Sequence, residues 1–342
     1  MLTEKIIVLR FSAMGDVAMV ASVLKEFSEQ NPSVEIIMVS REAFKPFFDG
    51  IDNLTFHAIQ PKTIHKGIDG LYKLYQELRK FKPTAIADLH DNLRSRAIST
   101  FFRLSGIKIK RIDKGRAEKK ALTRLANKIF KPLRQTVERY ADVFRGLGFQ
   151  INLSHKLIPK AQQVPSKAKG LFSDSVKKKI GISPFAQHIY KIYPLNKMEV
   201  IIAELSKLGY ELFIFGGGKA EQEIAEKWSQ FIPNTHNLIG NFNLTEELAV
   251  ISNLDLMLSM DSSGMHMASL VGVPVVSVWG PTHPFAGFLG YGQSEANCVQ
   301  IDHPSRPNSI YGNKPCLCGV ESCMDLIEPQ SIVNKIKENL NA

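Results

Sequence analysis

The fold class is decided by the stretch Lys5-Ile6-Ile7-Val8-Leu9-Arg10-Phe11-Ser12-Ala13-Met14-Gly15-Asp16. Ile6 to Leu9 form a short apolar, largely β-branched run, which is typical of a buried parallel strand. A turn follows, and apolar residues then recur at helical spacing from Val17 to Gln30. A second apolar run over residues 35–39 completes a strand–helix–strand unit. This order predicts a parallel sheet covered by helices.

The same alternation restarts after the middle of the chain, at residues 179–183. A length of 342 residues suits two domains of about 150 residues each. Between them lies a polar, lysine-rich stretch that we interpret as a linker, roughly 155–178. We therefore expect two doubly wound α/β domains, at 1–160 and 175–328. A C-terminal helix at 329–342 could pack back on the N-terminal domain.

Composition narrows the class of protein. Hydrophobic residues make up 44% and charged residues 22% of the chain, as in ordinary globular proteins. No apolar run reaches the length of about 18 residues that a membrane helix needs. The N-terminus enters a strand directly and lacks the features of a secretory signal. We expect a cytoplasmic protein.

The positive charge is concentrated in one segment. Residues 108–134 hold eleven basic and two acidic residues, which accounts for +9 of the net +10. Such a segment attracts a polyanion or an anionic surface. Helix-turn-helix, zinc-finger and aromatic RNA-binding motifs are absent from the sequence, so nucleic acid ranks low. A solvated helical face, with a helix over 118–130, is the alternative to a membrane contact.

Asp16 follows the first strand at the start of a helix. It can cap that helix, since a carboxylate there accepts backbone N–H bonds and favours the helix dipole. It can also act as a general base that removes a proton from an acceptor hydroxyl. Spacing alone leaves both open.

A second candidate site follows the strand 210–215, where Gly216, Gly217 and Gly218 begin a helix. Glycines let the backbone approach a ligand closely. The pattern matches neither the P-loop nor the dinucleotide fingerprint. Glu221, or Glu223, could hold the ribose hydroxyls of a nucleotide. The alternative is an exposed acid that favours the helix dipole.

The stretch 259–268 reads Ser-Met-Asp-Ser-Ser-Gly-Met-His-Met-Ala and joins a strand to a helix. Asp261, Ser262 and Ser263 at a helix N-terminus predict an anion site. His266 lies near the helix start, where it either contacts a phosphate or serves the structure.

Lys191, in a loop beyond another strand, could stabilise charge on a departing nucleotide diphosphate.

Three of the four cysteines, Cys316, Cys318 and Cys323, are close in sequence. Their spacing is not that of a standard zinc knuckle. Zinc would need a fourth ligand, for which His303 or Cys298 are candidates. We interpret them as reduced structural thiols.

These motifs together resemble glycosyltransferase family 9, the ADP-heptose:lipopolysaccharide heptosyltransferases. The resemblance covers residues 6 to about 336. It includes the Gly-Asp turn after the first strand, the lysine before Tyr193-Pro194, residues 261–266, the Gly280-Pro281-Thr282 turn and the ending from Cys323 to Val333.

The resemblance implies a GT-B fold, in which two Rossmann-like domains face each other across a cleft, and an inverting, metal-independent transfer. Asp16 would be the base and Lys191 would bind phosphate. The donor would be held by Gly217, Glu221, Asp261, Ser262, Ser263 and His266. The acceptor, an acidic glycolipid at the inner face of the cytoplasmic membrane, would contact His90, Asn92, Arg94 and Arg96.

One position departs from the family pattern. Ser263 stands where glycine is usual, and Gly264 stands where proline or asparagine is usual. If position 263 needs a positive φ, serine would cost roughly 1 kcal/mol or more. Two rival functions stay open on the sequence alone: a sugar-nucleotide epimerase on the same fold, and a relative that binds nucleotide or anionic glycan without turnover.

Overall fold

The computed structural model describes residues 4–173 and 176–341. The chain divides into two compact units. Unit 1 contains Met1–Lys114 and Arg134–Ser154, and unit 2 contains Gly115–Leu133 and His155–Ala342. Among the described residues, no helix combines the length and the apolar character that crossing a bilayer requires.

Strands and helices alternate along most of the chain, as predicted. The strands are β1 (Lys5–Leu9), β2 (Glu35–Ser40), β3 (Leu54–Ala58), β4 (Ala85–Asp88), β5 (Lys108–Arg111), β6 (Lys179–Ser183), β7 (Glu211–Ile214), β8 (Thr235–Asn237), β9 (Leu256–Met260), β10 (Val275–Val278), β11 (Cys298–Val299), β12 (Leu317–Cys318) and β13 (Glu321–Ser322). The helices are α1 (Met14–Gln30), α2 (Gly67–Arg79), α3 (Leu93–Leu104), α4 (Arg116–Thr123), α5 (Thr136–Leu147), α6 (Leu195–Lys207), α7 (Lys219–Phe231), α8 (Leu244–Ile251), α9 (Ser263–Leu270) and α10 (Pro329–Asn341).

Unit 1 is built on a parallel sheet in the order β3-β2-β1-β4-β5. Residues Ile6 to Leu9 of β1 are fully buried because helices cover both faces of the sheet. One face packs against α2 and α3, which contribute Leu74 and Phe102 to the core. On α1 and α5, Phe27 stacks on Phe144 with ring centroids 4.4 Å apart. Burial of these apolar side chains is the main force that holds the unit together.

Unit 2 repeats this plan with a six-stranded parallel sheet in the order β11-β10-β9-β6-β7-β8. Its core includes apolar residues of α6 and α7 packed against the strands. Helix α10 belongs to the same core through Ile332, Val333 and Ile336. The apolar face of α10 is thus used within unit 2, and the idea that this helix packs back on the N-terminal domain stays a prediction.

The segment Gly115–Leu133 also belongs to unit 2, whereas the sequence assigned it to an N-terminal domain of residues 1–160. The reason is its packing. Leu122 and Leu133 are buried against Ala286. The Lys128 ammonium donates to the carbonyl oxygens of Pro304, Arg306 and Pro307 at 2.7, 2.9 and 3.1 Å.

In the same part of the chain, one further prediction was wrong and the predicted linker stays a prediction. The helix expected over 118–130 is the shorter α4, which ends at Thr123 because Arg124 adopts an extended conformation with ψ 149°. The predicted linker, roughly 155–178, contains residues 174 and 175, which lie outside the described residues. Its described part holds one 3-10 helix, Ser166–Phe172.

Candidate functional site

Each sheet has one point where the strand order reverses, and ligands of doubly wound folds bind beyond the carboxyl ends of the strands at that point. In unit 1 the point lies between β1 and β4. The chain beyond β1 leads to Asp16, and the chain beyond β4 leads to His90. The two turns are joined, since the backbone N–H of Phe11 donates to Nδ1 of His90 at 3.2 Å.

Asp16 is the third residue of α1, and Ala13 occupies the cap position. The Asp16 carboxylate accepts a hydrogen bond from the N–H of Ala13 at 3.4 Å, so it contributes to capping from inside the helix. The same carboxylate forms an ion pair with the Arg10 guanidinium and accepts a hydrogen bond from the Tyr140 hydroxyl at 3.2 Å. Its side chain is 24% exposed. A fixed, partly exposed carboxylate can serve as a general base.

His90 is buried beside this carboxylate. Burial, followed by the positive charges of Arg10 and Lys114, lowers the pKa of His90 to about 3. The imidazole is therefore neutral at physiological pH. It supports the turn as a hydrogen-bond acceptor for Phe11, and the amide nitrogen of Asn92 lies 3.2 Å from its Nε2.

The other predicted acceptor residues lie at the start of α3. Asn92 caps the helix by accepting from the N–H of Ser95 at 2.9 Å. Arg94 and Arg96 are exposed, and Arg96 forms an ion pair with Asp91 at 2.7 Å. Contact of these four residues with an acceptor stays a prediction. The structure adds that two of them maintain the turn while the two arginines face solvent.

In unit 2 the strand order reverses between β6 and β9. Lys191 lies in the loop after β6, and Asp261 directly follows β9. The Lys191 Nζ is 2.9 Å from Asp261 Oδ2, and the two side chains are 14% and 7% exposed. The structure thus brings together two residues that the sequence had singled out separately, at the position where this fold class binds ligands.

Helix α9 begins beside this ion pair. Ser262 is its N-cap, and the Ser262 side chain makes no capping hydrogen bond. The first N–H groups of a helix have no partner within the helix, so this end can receive an anion. His266 lies one turn further on and is buried.

The strain predicted for Ser263 is absent. Ser263 is the first residue of α9, and it is not among the described non-glycine residues with positive φ. Gly264 is required for a different reason, because a Cβ at this position would collide with the Ser183 hydroxyl of the neighbouring strand. The exchange of residue types at 263 and 264 is therefore compatible with the helix start.

The glycine turn after β7 has a local explanation as well. The N–H of Gly217 donates to Glu221 Oε2 at 2.7 Å, and Glu221 lies in the first turn of α7. Gly218 needs to be glycine because its φ is +88°. The partly exposed Glu221 carboxylate retains capacity to accept further hydrogen bonds, so its predicted contact with a ribose stays open.

Two residues position Lys191: Tyr193, which belongs to the motif already noted in the sequence, and Gly312, which the sequence did not indicate. The chain carrying Lys191 is anchored by Tyr193, which is fully buried and donates from its hydroxyl to the Ile327 carbonyl at 2.7 Å. Burial raises the pKa of Tyr193 above its usual range, which keeps this donor protonated. The aliphatic part of Lys191 lies directly against Gly312, whose φ is +73°.

A second residue that the sequence did not indicate, Arg306, organises the turn after β10. Its guanidinium donates to the carbonyl oxygens of Trp279, Gly280 and Thr282 at 3.0, 2.5 and 3.0 Å. Burial lowers the pKa of Arg306 to about 10, which still leaves the group charged at neutral pH. One buried cation, Arg306, therefore stabilises the turn that contains the Gly-Pro-Thr motif.

Known proteins resemble this chain in sequence and in fold. The chain matches the model of glycosyltransferase family 9 (heptosyltransferase) over residues 71–313. It is 27% identical over 300 residues to the lipopolysaccharide core heptosyltransferase OpsX of Haemophilus influenzae, covering 82% of this chain and 80% of that protein.

Solved structures extend the comparison to the whole chain. A glycosyltransferase family 9 protein of Veillonella parvula superposes with a TM-score of 0.75 at 19% identity, over 99% of this chain and 98% of the other. The heptosyltransferase WaaC of Escherichia coli, solved with ADP, gives a TM-score of 0.66 at 18% identity, over 98% of each chain. These likenesses confirm the predicted GT-B fold.

Proposed function

The chain belongs to glycosyltransferase family 9, the heptosyltransferases, and we propose that it transfers a heptose from ADP-heptose to an acidic acceptor of the lipopolysaccharide inner core. The observation that carries the proposal is the buried Lys191–Asp261 ion pair beside the start of α9. The ion pair holds the Lys191 ammonium beside the N-terminus of α9, and the ammonium and the helix end together suit a nucleotide diphosphate.

In the proposed donor site, the Lys191 ammonium and the first N–H groups of α9 hold the diphosphate. Asp261 keeps Lys191 in place, and Ser262 and Ser263 offer hydroxyl donors at the same helix end. His266 and Gly217 complete the surroundings of the nucleotide, and Glu221 accepts hydrogen bonds from the ribose. The positive charge that stabilises the leaving diphosphate comes from Lys191 and the helix, so the transfer step uses no metal ion.

In the proposed acceptor site, Asp16 removes the proton of the attacking hydroxyl as the glycosidic bond forms. Arg10 and Tyr140 hold the Asp16 carboxylate in one orientation, which favours proton transfer to the same oxygen. Attack on the face opposite the diphosphate gives inversion at the anomeric carbon. Arg94 and Arg96, being exposed and positively charged, would contact the anionic groups of the acceptor.

We further infer that the enzyme works at the inner face of the cytoplasmic membrane and contacts it through the basic segment 108–134. Several of its basic side chains are engaged within the protein, including Lys128 and Arg134. Lys120, Arg124 and Lys131 are exposed, and they lie near exposed Leu125, Ile129 and Phe130. Basic and apolar side chains on one surface segment favour an interface with anionic lipid.

The test of the proposed activity combines binding and turnover. Calorimetry with ADP, UDP, GDP and CMP should give the tightest binding for ADP. Release of ADP from ADP-heptose should then require a lipopolysaccharide acceptor that lacks heptose. Conversion of the donor without acceptor would instead support an epimerase, and ADP binding without any turnover would support a non-catalytic relative.

The membrane contact has a separate test. The protein should sediment with vesicles containing anionic lipid, and salt should weaken this association because surface charges are screened. A variant with Lys120, Arg124 and Lys131 changed to glutamate should lose it. Glutamate at the exposed Lys62, Lys66 and Lys227 is the matched control. Equal binding of both variants, or binding that does not depend on salt, would exclude this segment as the contact.

A further inference from the structure

The strands β12 and β13 form a hairpin that brings three cysteines together. Leu317 pairs with Ser322 and Cys318 with Glu321, and Gly319 begins the two-residue turn with a φ of +83°. One step further along the register, the N–H of Cys323 donates to the carbonyl of Cys316 at 3.0 Å. Cys316 and Cys323 are therefore opposite each other across the hairpin.

Cys318 joins them because residues i and i+2 of a strand point to the same face. As a result, the three sulfur atoms all lie within 4.8 Å of one another. Cys316 and Cys323 are buried and Cys318 is half-buried. The spacing of the three cysteines matched no standard zinc motif. A hairpin with a two-residue turn explains it, because this spacing places all three thiols on one side of the hairpin.

Two kinds of chemistry can use this arrangement. Cys323 lies within bonding reach of both Cys316 and Cys318, but one sulfur forms only one disulfide. A disulfide would therefore leave a third thiol unused beside it. A metal ion uses all three as thiolates, and soft thiolate ligands favour zinc over magnesium or calcium.

The candidates for a fourth ligand do not join this group. Within residues 4–173 and 176–341, the convergent set contains no further histidine, cysteine, aspartate or glutamate. Cys298 lies on β11, with its sulfur 3.5 Å from the Ser277 hydroxyl. His303 accepts a hydrogen bond from the N–H of Ser305 at 3.2 Å. The fourth position is left to a solvent molecule or a small ligand.

We infer that Cys316, Cys318 and Cys323 form a zinc site with three thiolate ligands. Its surroundings connect it to neighbouring turns of unit 2. Met324, next to Cys323, packs against Gly280 of the turn after β10. On the other side, the Asn308 amide donates to the carbonyl of Pro315 at 2.5 Å. The bound zinc would stabilise the hairpin of β12 and β13. This hairpin follows Gly312, which contacts Lys191, and it packs through Met324 against the turn after β10.

The test measures metal rather than activity. The protein, purified under reducing conditions, should contain about one zinc per chain by elemental analysis. After removal of zinc by a chelator, addition of Co²⁺ should produce a thiolate-to-cobalt charge-transfer band and the visible bands of tetrahedral cobalt. Zn²⁺ should displace the cobalt and raise the melting temperature.

Cys318→Ser is the informative variant because this residue is the least buried ligand, and Cys298→Ser is its control outside the group. Since loss of even an outer-shell partner weakens metal binding about 10- to 100-fold, Cys318→Ser should lose at least that much affinity. Cys298→Ser should bind zinc like the original protein. Circular dichroism checks that both variants are folded.

Three results would overturn the zinc site. One is a metal-free protein whose mass is lower by two hydrogens, which would identify a disulfide. Another is three titratable thiols that bind neither Zn²⁺ nor Co²⁺ in the reduced protein. The third is equal zinc binding by folded Cys318→Ser and Cys298→Ser.

Discussion

Lys191 and Asp261 form an ion pair of 2.9 Å beyond the carboxyl ends of β6 and β9, and a second pair, Lys178 and Asp255, joins the amino ends of the same two strands at 3.1 Å. The two pairs differ in surroundings. The side chains of the first are largely buried, whereas those of the second are 49% and 31% exposed. In parallel sheets only the carboxyl end faces the ligand crevice, so the second pair is a natural control for the first.

Lys191→Ala should weaken ADP binding by about 10- to 100-fold, because a hydrogen bond to a charged group contributes about 1.5–3 kcal/mol. Lys178→Ala should change the affinity by less than about twofold, since exposed ion pairs contribute little. Calorimetry at a temperature well below the melting point of each variant measures both. Similar effects of the two substitutions would show that Lys191 has no specific role at the nucleotide.

Gly312→Ala should weaken ADP binding through Lys191, without a contact of its own with the ligand. The added methyl group would occupy the space of the Lys191 side chain and displace its ammonium. The new residue would also be strained, since φ at this position is +73°. Gly209→Ala separates the two effects, because Gly209 has a φ of +84° and open space around its Cβ position.

Both glycine variants should therefore lose about 1 kcal/mol of stability from backbone strain, and Gly312→Ala should lose affinity for ADP in addition. Melting temperatures and calorimetry in parallel provide the comparison. If the two variants bind ADP equally well, Gly312 is required for the turn alone.

The sequence was sufficient to predict the elements that have a strong apolar pattern. Strands such as β1 and β2 are buried on both faces, so they contain continuous apolar runs that are easily recognised. The edge strand β5 reads Lys-Ile-Lys-Arg with alternating exposure, and its charge concealed it within the basic segment. Short strands such as β12 and β13 have no period to detect.

The candidate site was predictable only where residues follow adjacent strands. Lys191 and Asp261 come after β6 and β9, which are neighbours in the sheet, so their meeting follows from the topology. Tyr140 reaches Asp16 from a helix 124 residues away, and no local pattern indicates such a contact. Arg306 lies in an irregular loop, where the sequence has no periodic pattern that distinguishes a buried arginine from an exposed one.

Acid should destabilise the protein through His90. Its pKa is about 3 in the folded chain, against an ordinary value of 6.5, because the imidazole is buried near Arg10 and Lys114. Above pH 6.5 the ring is neutral in both states, and its contribution to stability is complete. Below pH 6.5 His90 is protonated in the unfolded chain, but in the folded chain it stays neutral down to about pH 3. The free energy of unfolding therefore falls as the pH decreases across this window.

By this linkage, His90 alone should account for about 2 kcal/mol of lost stability at pH 5. His90→Asn keeps an acceptor for the N–H of Phe11, and its melting temperature should fall less between pH 7 and pH 5. His188→Asn, in a loop of unit 2, is the control. An unchanged pH dependence in His90→Asn would show that other groups govern acid unfolding.

Asp16→Asn should slow the transfer strongly while leaving ADP binding intact. Asp16 and Asp69 both occupy the third position of a helix, in α1 and α2, so both favour the helix dipole. Asp16 alone of the two is paired with Arg10 and with the Tyr140 hydroxyl. Asparagine retains an acceptor for these donors but cannot take up the proton of an attacking hydroxyl. The turnover number should therefore fall by about 10²- to 10⁴-fold.

Asp69→Asn isolates the role that both residues share. It should cost at most about 0.3–1 kcal/mol of stability through the dipole and leave the rate of ADP release unchanged. Rates of acceptor-dependent ADP release, ADP affinities and melting temperatures of the two variants decide between the interpretations of Asp16. If Asp16→Asn turns over at the rate of Asp69→Asn, then Asp16 serves the helix, and the base must be sought elsewhere.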